Sequence, residues 1–448
     1  MKKIIFAFSL LIGFGAFAQD HFSGISTSNR VGILNGALNP AEFANLSKKF
    51  EINFLGVSLD VANNKVGFSD LVSGDDLETL IFTGNEPVNM RFDGQILGPG
   101  FATRWFKWGF AITTKANVKF DVVDVDPAIG NAIVNDNLIL NTTILDNPNN
   151  QRVNGTSYGE IGLSAARMLV DNENHSFSAG VTLKILFPGS YSNLGLKDLN
   201  GTITQNGTGA YLTTDQPATL NIAYSGNLAD SFTNFNDYSK SLFGGLNGFA
   251  GDIGVTYEWK DGKSNYKIKA GAAIRNMGSM TFKDDNNYST NYSLNIQPTV
   301  ENPQGLDLSQ FADVDNLSEV EQILLDNGYL TETRNKTDFK VNLPTTLALY
   351  ADFKIVPKFY VTGYLQQRMK KDDDDNQITA RNIVSVTPRF NIGFFEAYVP
   401  LSHDDVSGTN LGAGFRWFGF YLGSNSIFTS LADGKQADAY IGYRFAFL

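Results

Sequence analysis

Two clusters in the chain have residue types capable of chemistry. Lys370-Lys371-Asp372-Asp373-Asp374-Asp375-Asn376 gathers carboxylates of the kind that hold hard cations such as calcium. It lacks the alternating ligand spacing and the turn glycine of a calcium loop, and reads better as a solvated hairpin tip. His403-Asp404-Asp405 has the makings of a metal site or a general base. No second histidine stands at helical spacing and no serine sits in a Gly-x-Ser-x-Gly elbow, so a surface turn is the simpler reading. The chain has 3 His and 0 Cys. That removes disulfides and thiolate metal sites and leaves little for acid–base catalysis. No nucleophile–base pair emerges. The expectation is a non-enzyme with no catalytic residue, no metal and no cofactor.

Other charges recur at alternate positions. Phe110, Ile112, Thr114, Ala116, Val118 and Phe120 alternate with Ala111, Thr113, Lys115, Asn117, Lys119 and Asp121. Phe177, Ala179, Val181, Leu183, Ile185 and Phe187 alternate with Ser176, Ser178, Gly180, Thr182 and Lys184. Phe249, Ile253, Val255, Tyr257 and Trp259 stand opposite Asp252, Thr256 and Glu258. After a tight turn at Lys260-Asp261-Gly262-Lys263, Tyr266, Ile268, Ala270, Ala272 and Ile274 stand against Lys267, Lys269 and Arg275. Leu347, Leu349, Ala351, Phe353 and Ile355 alternate with Tyr350, Asp352 and Lys354. A period of two is the mark of strands with one apolar face.

These strands are about ten residues long, longer than the usual five or six of globular sheets and suited to a tilted bilayer crossing. Their apolar faces often end in aromatics, as interfacial girdles require. A secreted β-sandwich also alternates. The last strand decides for a barrel. In Tyr440–Leu448, Ile441, Tyr443, Phe445 and Phe447 share one face, while Gly442, Arg444 and Ala446 share the other. Such an aromatic-terminated strand resembles the signal by which outer-membrane barrels are recognised for insertion, with Tyr443, Phe445 and Phe447 as its residues. The expected fold is therefore all-β, a transmembrane antiparallel β-barrel whose closure leaves no backbone unpaired in lipid.

A barrel gives the alternating charges a place. A charge on the lipid face costs up to about 2–4 kcal/mol at the midplane. Lys115, Lys119, Lys184, Asp252, Glu258, Lys267, Lys269, Arg275, Asp352, Arg416 and Arg444 should then face the lumen. Structural ion pairs in a blocked lumen and a path for a solute both remain open.

The remainder of the chain fits export. Lys2 and Lys3, the apolar run Ile4–Gly15 and Ala16-Phe17-Ala18 read as a signal peptide over residues 1–18, cleaved near Ala18. Losing Lys2 and Lys3 takes the formal charge from −11 to −13. A chain so acidic is not expected to bind nucleic acid. Charged residues are only 18% while aromatics are 12%, as wide lipid-facing surfaces demand. The polar stretches Asp146–Asn154, Ser190–Asn236 and Asp284–Lys340 read as long external loops. In the third, Asn316 should cap a helix Leu317–Leu325 that ends before Gly328.

Gly36-Ala37-Leu38-Asn39-Pro40-Ala41 carries an Asn-Pro-Ala element soon after the leader. It resembles the N-terminal segment of long-chain fatty-acid transport porins. With Gly180-Val181-Thr182-Leu183-Lys184, Asn276-Met277-Gly278-Ser279-Met280, Leu343-Pro344-Thr345-Thr346-Leu347 and Phe418-Gly419-Phe420-Tyr421-Leu422-Gly423-Ser424-Asn425, the chain is similar to a Bacteroidetes-type family of outer-membrane barrels of unknown function. That resemblance implies about 14 strands over residues 50–448 and an N-terminal luminal plug or hatch over residues 19–49, marked by Asn39, Pro40 and Ala41. The polar, small-residue character of Phe22–Lys49 suits a lumen better than lipid. No ligand pocket carries over from the porins residue by residue.

Two functions follow as expectations. One is passive transport of a small solute, hydrophobic ones among the candidates, past the hatch. The other is a non-transporting structural barrel that serves protein secretion, gliding motility or surface partners, as similar barrels of this lineage do. The expected partners are outer-membrane lipid, the barrel-insertion machinery, and either a small-molecule solute or a secretion or motility protein. The expected location is the cell outer membrane.

Overall fold

A strand inside lipid must find partners along both edges, and here each wall strand has two neighbours. The computed structural model describes residues 21–447 apart from 29, 74–75, 135–139, 226–244, 261–265, 284–287, 315 and 337. The signal peptide and the Lys260–Lys263 turn residues beyond Lys260 lie outside the described residues.

Among the described residues the wall consists of fourteen antiparallel strands, several of them interrupted. In order they are Phe50–Asn63; Val88–Leu97 with Gly100–Trp105; Trp108–Val125; Asn141–Asp171; His175–Asn206; Ala218–Ser225 with Gly248–Lys260; and Tyr266–Phe282 with Tyr288–Leu294. The return half is Leu330–Lys336 with Phe339–Asn342 and Thr346–Val356; Phe359–Arg368; Ile383–Asn391; Phe395–Tyr398 with Leu401–Asp404; Gly408–Leu411 with Ala413–Trp417; Phe420–Ser424; and Gln436–Phe447. The first strand pairs with the last, from Phe50 opposite Phe447 to Ala62 opposite Gln436, so the sheet closes into a barrel. No helix among the described residues is long and apolar enough to cross a membrane.

Side-chain direction follows the alternation. On the last strand Ile441, Tyr443 and Phe445 are 47–51% exposed, while Tyr440 and Arg444 are 5% exposed or less. Phe110 and Ile112, Val181 and Leu183, and Ile253 and Val255 also stand outward. This apolar exterior is the surface a bilayer would cover.

Two expected loops, Asp146–Asn154 and the described part of Ser190–Asn236, are mostly strand instead. Asn141–Asp171 and His175–Asn206 run 31 and 32 residues and pair with each other almost throughout, from Asn141 opposite Gln205 to Asp171 opposite Ser176. Their Asn, Thr and Gly content resembles loop composition, but mutual pairing satisfies the backbone far beyond the bilayer. Their far ends support a crown with its own apolar core, including Leu145, Leu199, Ile203, Leu220, Ile222, Leu294 and Leu324. The helix Leu317–Asp326 sits in it, with Asn316 Oδ1 accepting from the Glu319 N–H at 2.9 Å. Gly328 follows at φ +72°, the left-handed conformation that suits glycine after a helix.

Candidate functional site

Residues 21–28 and 30–45 lie across the inside of the ring, and each of their elements is anchored to the wall by a specific chemistry. The helix Gly32–Leu38 begins without a side-chain cap of its own. Glu51 of the first wall strand supplies the missing acceptors, taking the Gly32 and Ile33 N–H groups at 3.1 and 2.9 Å. A carboxylate there also meets the positive end of the helix. Arg444 of the last strand pairs with the same carboxylate at 2.8 Å.

The 3₁₀ turn Pro40–Asn45 follows. Asn39 caps it by accepting from the Ala41 N–H at 3.0 Å, and Pro40 occupies the first position, where no N–H is needed. The Asn39 amide also donates to the Val255 carbonyl at 2.9 Å and the Thr256 hydroxyl at 3.1 Å. Glu42 pairs with Lys269 at 2.7 Å and accepts from the Tyr350 hydroxyl. Glycines let this turn touch the wall. A Cβ at Gly180 would stand 2.5 Å from the Pro40 carbonyl carbon, and one at Gly109 would collide with the Phe43 carbonyl. Asn39, Pro40 and Ala41 are thus all buried against wall strands.

The lumen-directed charges form chains of pairs. Lys115 lies 3.6 Å from Glu160, and Lys184 lies 3.8 Å from Glu160 and 2.9 Å from Asp252. Lys119 pairs with Asp93, which also meets His21 at 3.0 Å. Arg275 donates to the Gln366 side chain. Asp352 pairs with Arg389 at 2.6 Å. Arg416 meets Glu396 at 3.3 Å and donates to the Gly393 and Phe418 carbonyls, tying two end turns together. Glu258 accepts from Ser176 at 3.4 Å.

Lys267 departs from this set. A bulge between Tyr266 and Ile268 shifts the phase of the strand. Lys267 therefore stands outside, exposed, with its ammonium 5.3 Å from the Trp259 ring. Tyr266 turns inward in its place and donates to Asp352.

The acidic run is a solvated tip only in part: Asp373 and Asp374 are exposed, while Asp372 is buried and Asp375 half-buried. Residues 372–381 fold into the mouth of the ring. Arg152, fully buried, donates to the Asp372 carbonyl at 3.1 Å and the Gln377 carbonyl at 2.7 Å. The Tyr191 hydroxyl donates to the Asp375 carbonyl at 2.5 Å, and Asn150 to the Asp375 carboxylate at 2.7 Å. Asp372 sits between Arg368 and Arg91. Burial pushes its carboxyl up to about 6, against the opposing pull of Arg91 and Arg368. Nothing local in the run announces this docking, because Arg152 and Tyr191, which hold its backbone, lie more than 180 residues away in sequence. His403-Asp404-Asp405 does lie at a turn, where Asp404 accepts from the Val406 and Ser407 N–H groups, both at 2.9 Å.

Between this roof and the N-terminal segment lies a chamber of about 110 Å³. Phe22, Leu34 and Leu38 line it from the N-terminal side, and Ala380 and Arg381 from the roof. Lys115, Asn117, Lys119, Glu160, Lys184 and Arg275 are among its wall. Sequence reasoning missed Glu160, although Tyr158, Glu160, Gly162 and Ser164 alternate with Gly159, Ile161 and Leu163. The chamber has room for a small molecule.

The model of a family of unknown function, DUF5723, matches residues 40–425. No curated protein matches the chain. Similar solved structures include the Ralstonia pickettii toluene transporter TbuX, at 12% identity and TM-score 0.42, covering 94% of this chain and 95% of that one. The Pseudomonas putida toluene transporter TodX shows 11% identity and TM-score 0.44, covering 92% and 94%. A Pseudomonas aeruginosa FadL homologue shows 10% identity and TM-score 0.40, covering 97% and 100%. No residue correspondence follows from identities this low.

Proposed function

We propose, for a chain that belongs to the DUF5723 family of unknown function, that it is an outer-membrane barrel passing a small solute through its lumen, with the N-terminal segment as the hatch. The observation that carries this reading is the chamber, bounded on one side by Phe22, Ser26, Leu34 and Leu38 and on the other by Ala380 and Arg381 of the roof. A barrel needing only to be sealed and rigid has no use for a lined space between two separate closures. The hatch is held by hydrogen bonds and ion pairs to the wall, which exchange with water at modest net cost, and by an apolar cluster in which Phe22, Ile33, Leu34 and Phe43 pack with Leu97, Ala102 and Tyr440 of the wall.

The test is deletion of residues 19–48 from the barrel reconstituted in planar bilayers and in liposomes. Conductance or solute uptake should rise. Unchanged conductance and unchanged uptake would overturn the reading.

One observation favours a second reading, a structural barrel that binds partners. The crown has an apolar core separate from the barrel interior, more than short connecting loops would require. That reading expects a stoichiometric protein partner lost when the crown is trimmed, and a lumen that stays closed when the N-terminal segment is deleted.

A further inference from the structure

All four tryptophans of the chain stand at one end of the barrel, the end of the short turns. Trp105 and Trp108 flank a two-residue turn, Trp259 is next to last in its strand, and Trp417 is last in its own. Each is 40–63% exposed. Tryptophans in such a row mark the depth of lipid headgroups. One flank of this row is also basic. The Lys49 ammonium lies 5.3 Å from the Phe50 ring, and the Arg167 guanidinium 5.1 Å from the Trp108 ring. Lys107 is exposed in the turn between Trp105 and Trp108. A long cationic side chain laid on an aromatic face keeps its charge at the edge of the apolar layer.

Backbone bonds hold these residues side by side. The Arg104 N–H donates to the Lys49 carbonyl at 2.9 Å, and the Met168 N–H to the Lys107 carbonyl at 2.8 Å. Trp108 stands opposite Arg167. The ends of the first four wall strands thus form a band three strand spacings, or about 15 Å, wide. Across residues 46–53, 100–110 and 161–169 the one carboxylate is Glu51, which is turned inward onto the helix Gly32–Leu38. The next turn adds Glu173 and an Asp171 already paired with Lys260. The crown, at the opposite end, exposes carboxylates, Asp313, Glu319, Asp326 and Glu332 among them.

We propose that the ends of the first four wall strands bind the headgroup of an anionic phospholipid. Its phosphate sits at Lys49, Lys107 and Arg167, and its acyl chains lie against the outward-facing Phe101, Phe110 and Ile112, each 40–51% exposed. A zwitterionic headgroup would bring a cation that these side chains repel. A soluble acidic partner would answer the charge but not the apolar surface that continues from it toward the middle of the barrel.

The probe is phosphatidylglycerol brominated on its acyl chains, mixed with phosphatidylcholine in vesicles that hold the full barrel. Trp259→Phe and Trp417→Phe leave Trp105 and Trp108 as the reporters, and heat-resistant gel migration checks folding of each variant. A cation near the surface is worth about fivefold toward an anionic lipid. Brominated phosphatidylglycerol should therefore quench as though enriched about tenfold or more over brominated phosphatidylcholine. Replacing Lys49, Lys107 and Arg167 together by Gln should bring the two lipids within about twofold. Raising salt from about 0.01 M to about 1 M should lower the enrichment in the parent, a readout that needs no charge variant. Equal quenching by the two lipids, as an aromatic girdle alone would give, would overturn the proposal. So would an enrichment indifferent to salt, or one that survives in the folded triple variant.

Discussion

Lys269 stands 2.7 Å from Glu42, and both side chains are essentially shut off from solvent. One belongs to the wall, the other to the N-terminal segment, so the pair locks two parts of the chain that share no backbone ladder. The Tyr350 and Thr256 hydroxyls and the Asn45 amide also donate to the Glu42 carboxylate.

Removing one partner of a buried pair strands the other. Lys269→Met should therefore weaken docking of the N-terminal segment by about 3–5 kcal/mol, and adding Glu42→Leu should recover much of that loss. Limited proteolysis of the folded barrel reads this directly. Equal resistance of parent and Lys269→Met would refute the coupling.

A steric route should release the same segment without touching a charge. Gly180→Val places a side chain where the Pro40 and Ala41 backbone now lies. Gly180 is inward-facing, so the lipid surface is unchanged. The expected result is cleavage within residues 21–45 by added protease, with the barrel still heat-resistant on gels. A variant whose N-terminal segment stays protected counts against this packing.

Roof docking should depend on pH through Asp372. Its carboxyl is raised to about 6 when buried and returns to about 4 when released. Docking therefore takes up a proton between those values. The roof is held most firmly below pH about 4, loses stability as pH rises toward about 6, and is constant above that. Hydrogen exchange of residues 372–381 measured across this range should show the slope, and Asp372→Asn should abolish it. A flat profile in the parent would exclude this role for Asp372.

The outward face can be tested with a single charge. Leu183 is 50% exposed on the apolar exterior. Leu183→Arg should cost about 2–4 kcal/mol in a urea titration of folding into lipid vesicles if it lies near the midplane. Leu183→Ala should cost less. Comparable costs for the two would argue against a lipid-facing position.

The alternation of apolar and polar residues made most of the wall legible. Each strand needed only its own sequence to show which face was apolar, because lipid enforces that pattern residue by residue. Lys115, Lys184, Asp252 and Arg444 could be placed in this way. Lys267 could not, since the bulge at Tyr266 and Ile268 depends on pairing with Gly248–Lys260 rather than on composition. The long paired strands Asn141–Asp171 and His175–Asn206 failed for a related reason. Polar residues in a strand look like a loop until the partner strand is known.

By itself, then, the amino-acid sequence determined the class of the fold, the orientation of most side chains and the poverty of catalytic groups, all set by local chemistry. Only the tertiary structure decided which carboxylate meets which cation, that Asp372 and Asp375 dock onto Arg152 and Tyr191, and that a chamber lies between this roof and Leu34. Apart from Arg368 with Asp372, those relations join residues from about 20 to more than 200 positions apart, and no local signal encodes a partner that distant. They exist because closure of the ring brings opposite walls and the N-terminal segment within hydrogen-bond reach, where each buried polar group must find a counterpart.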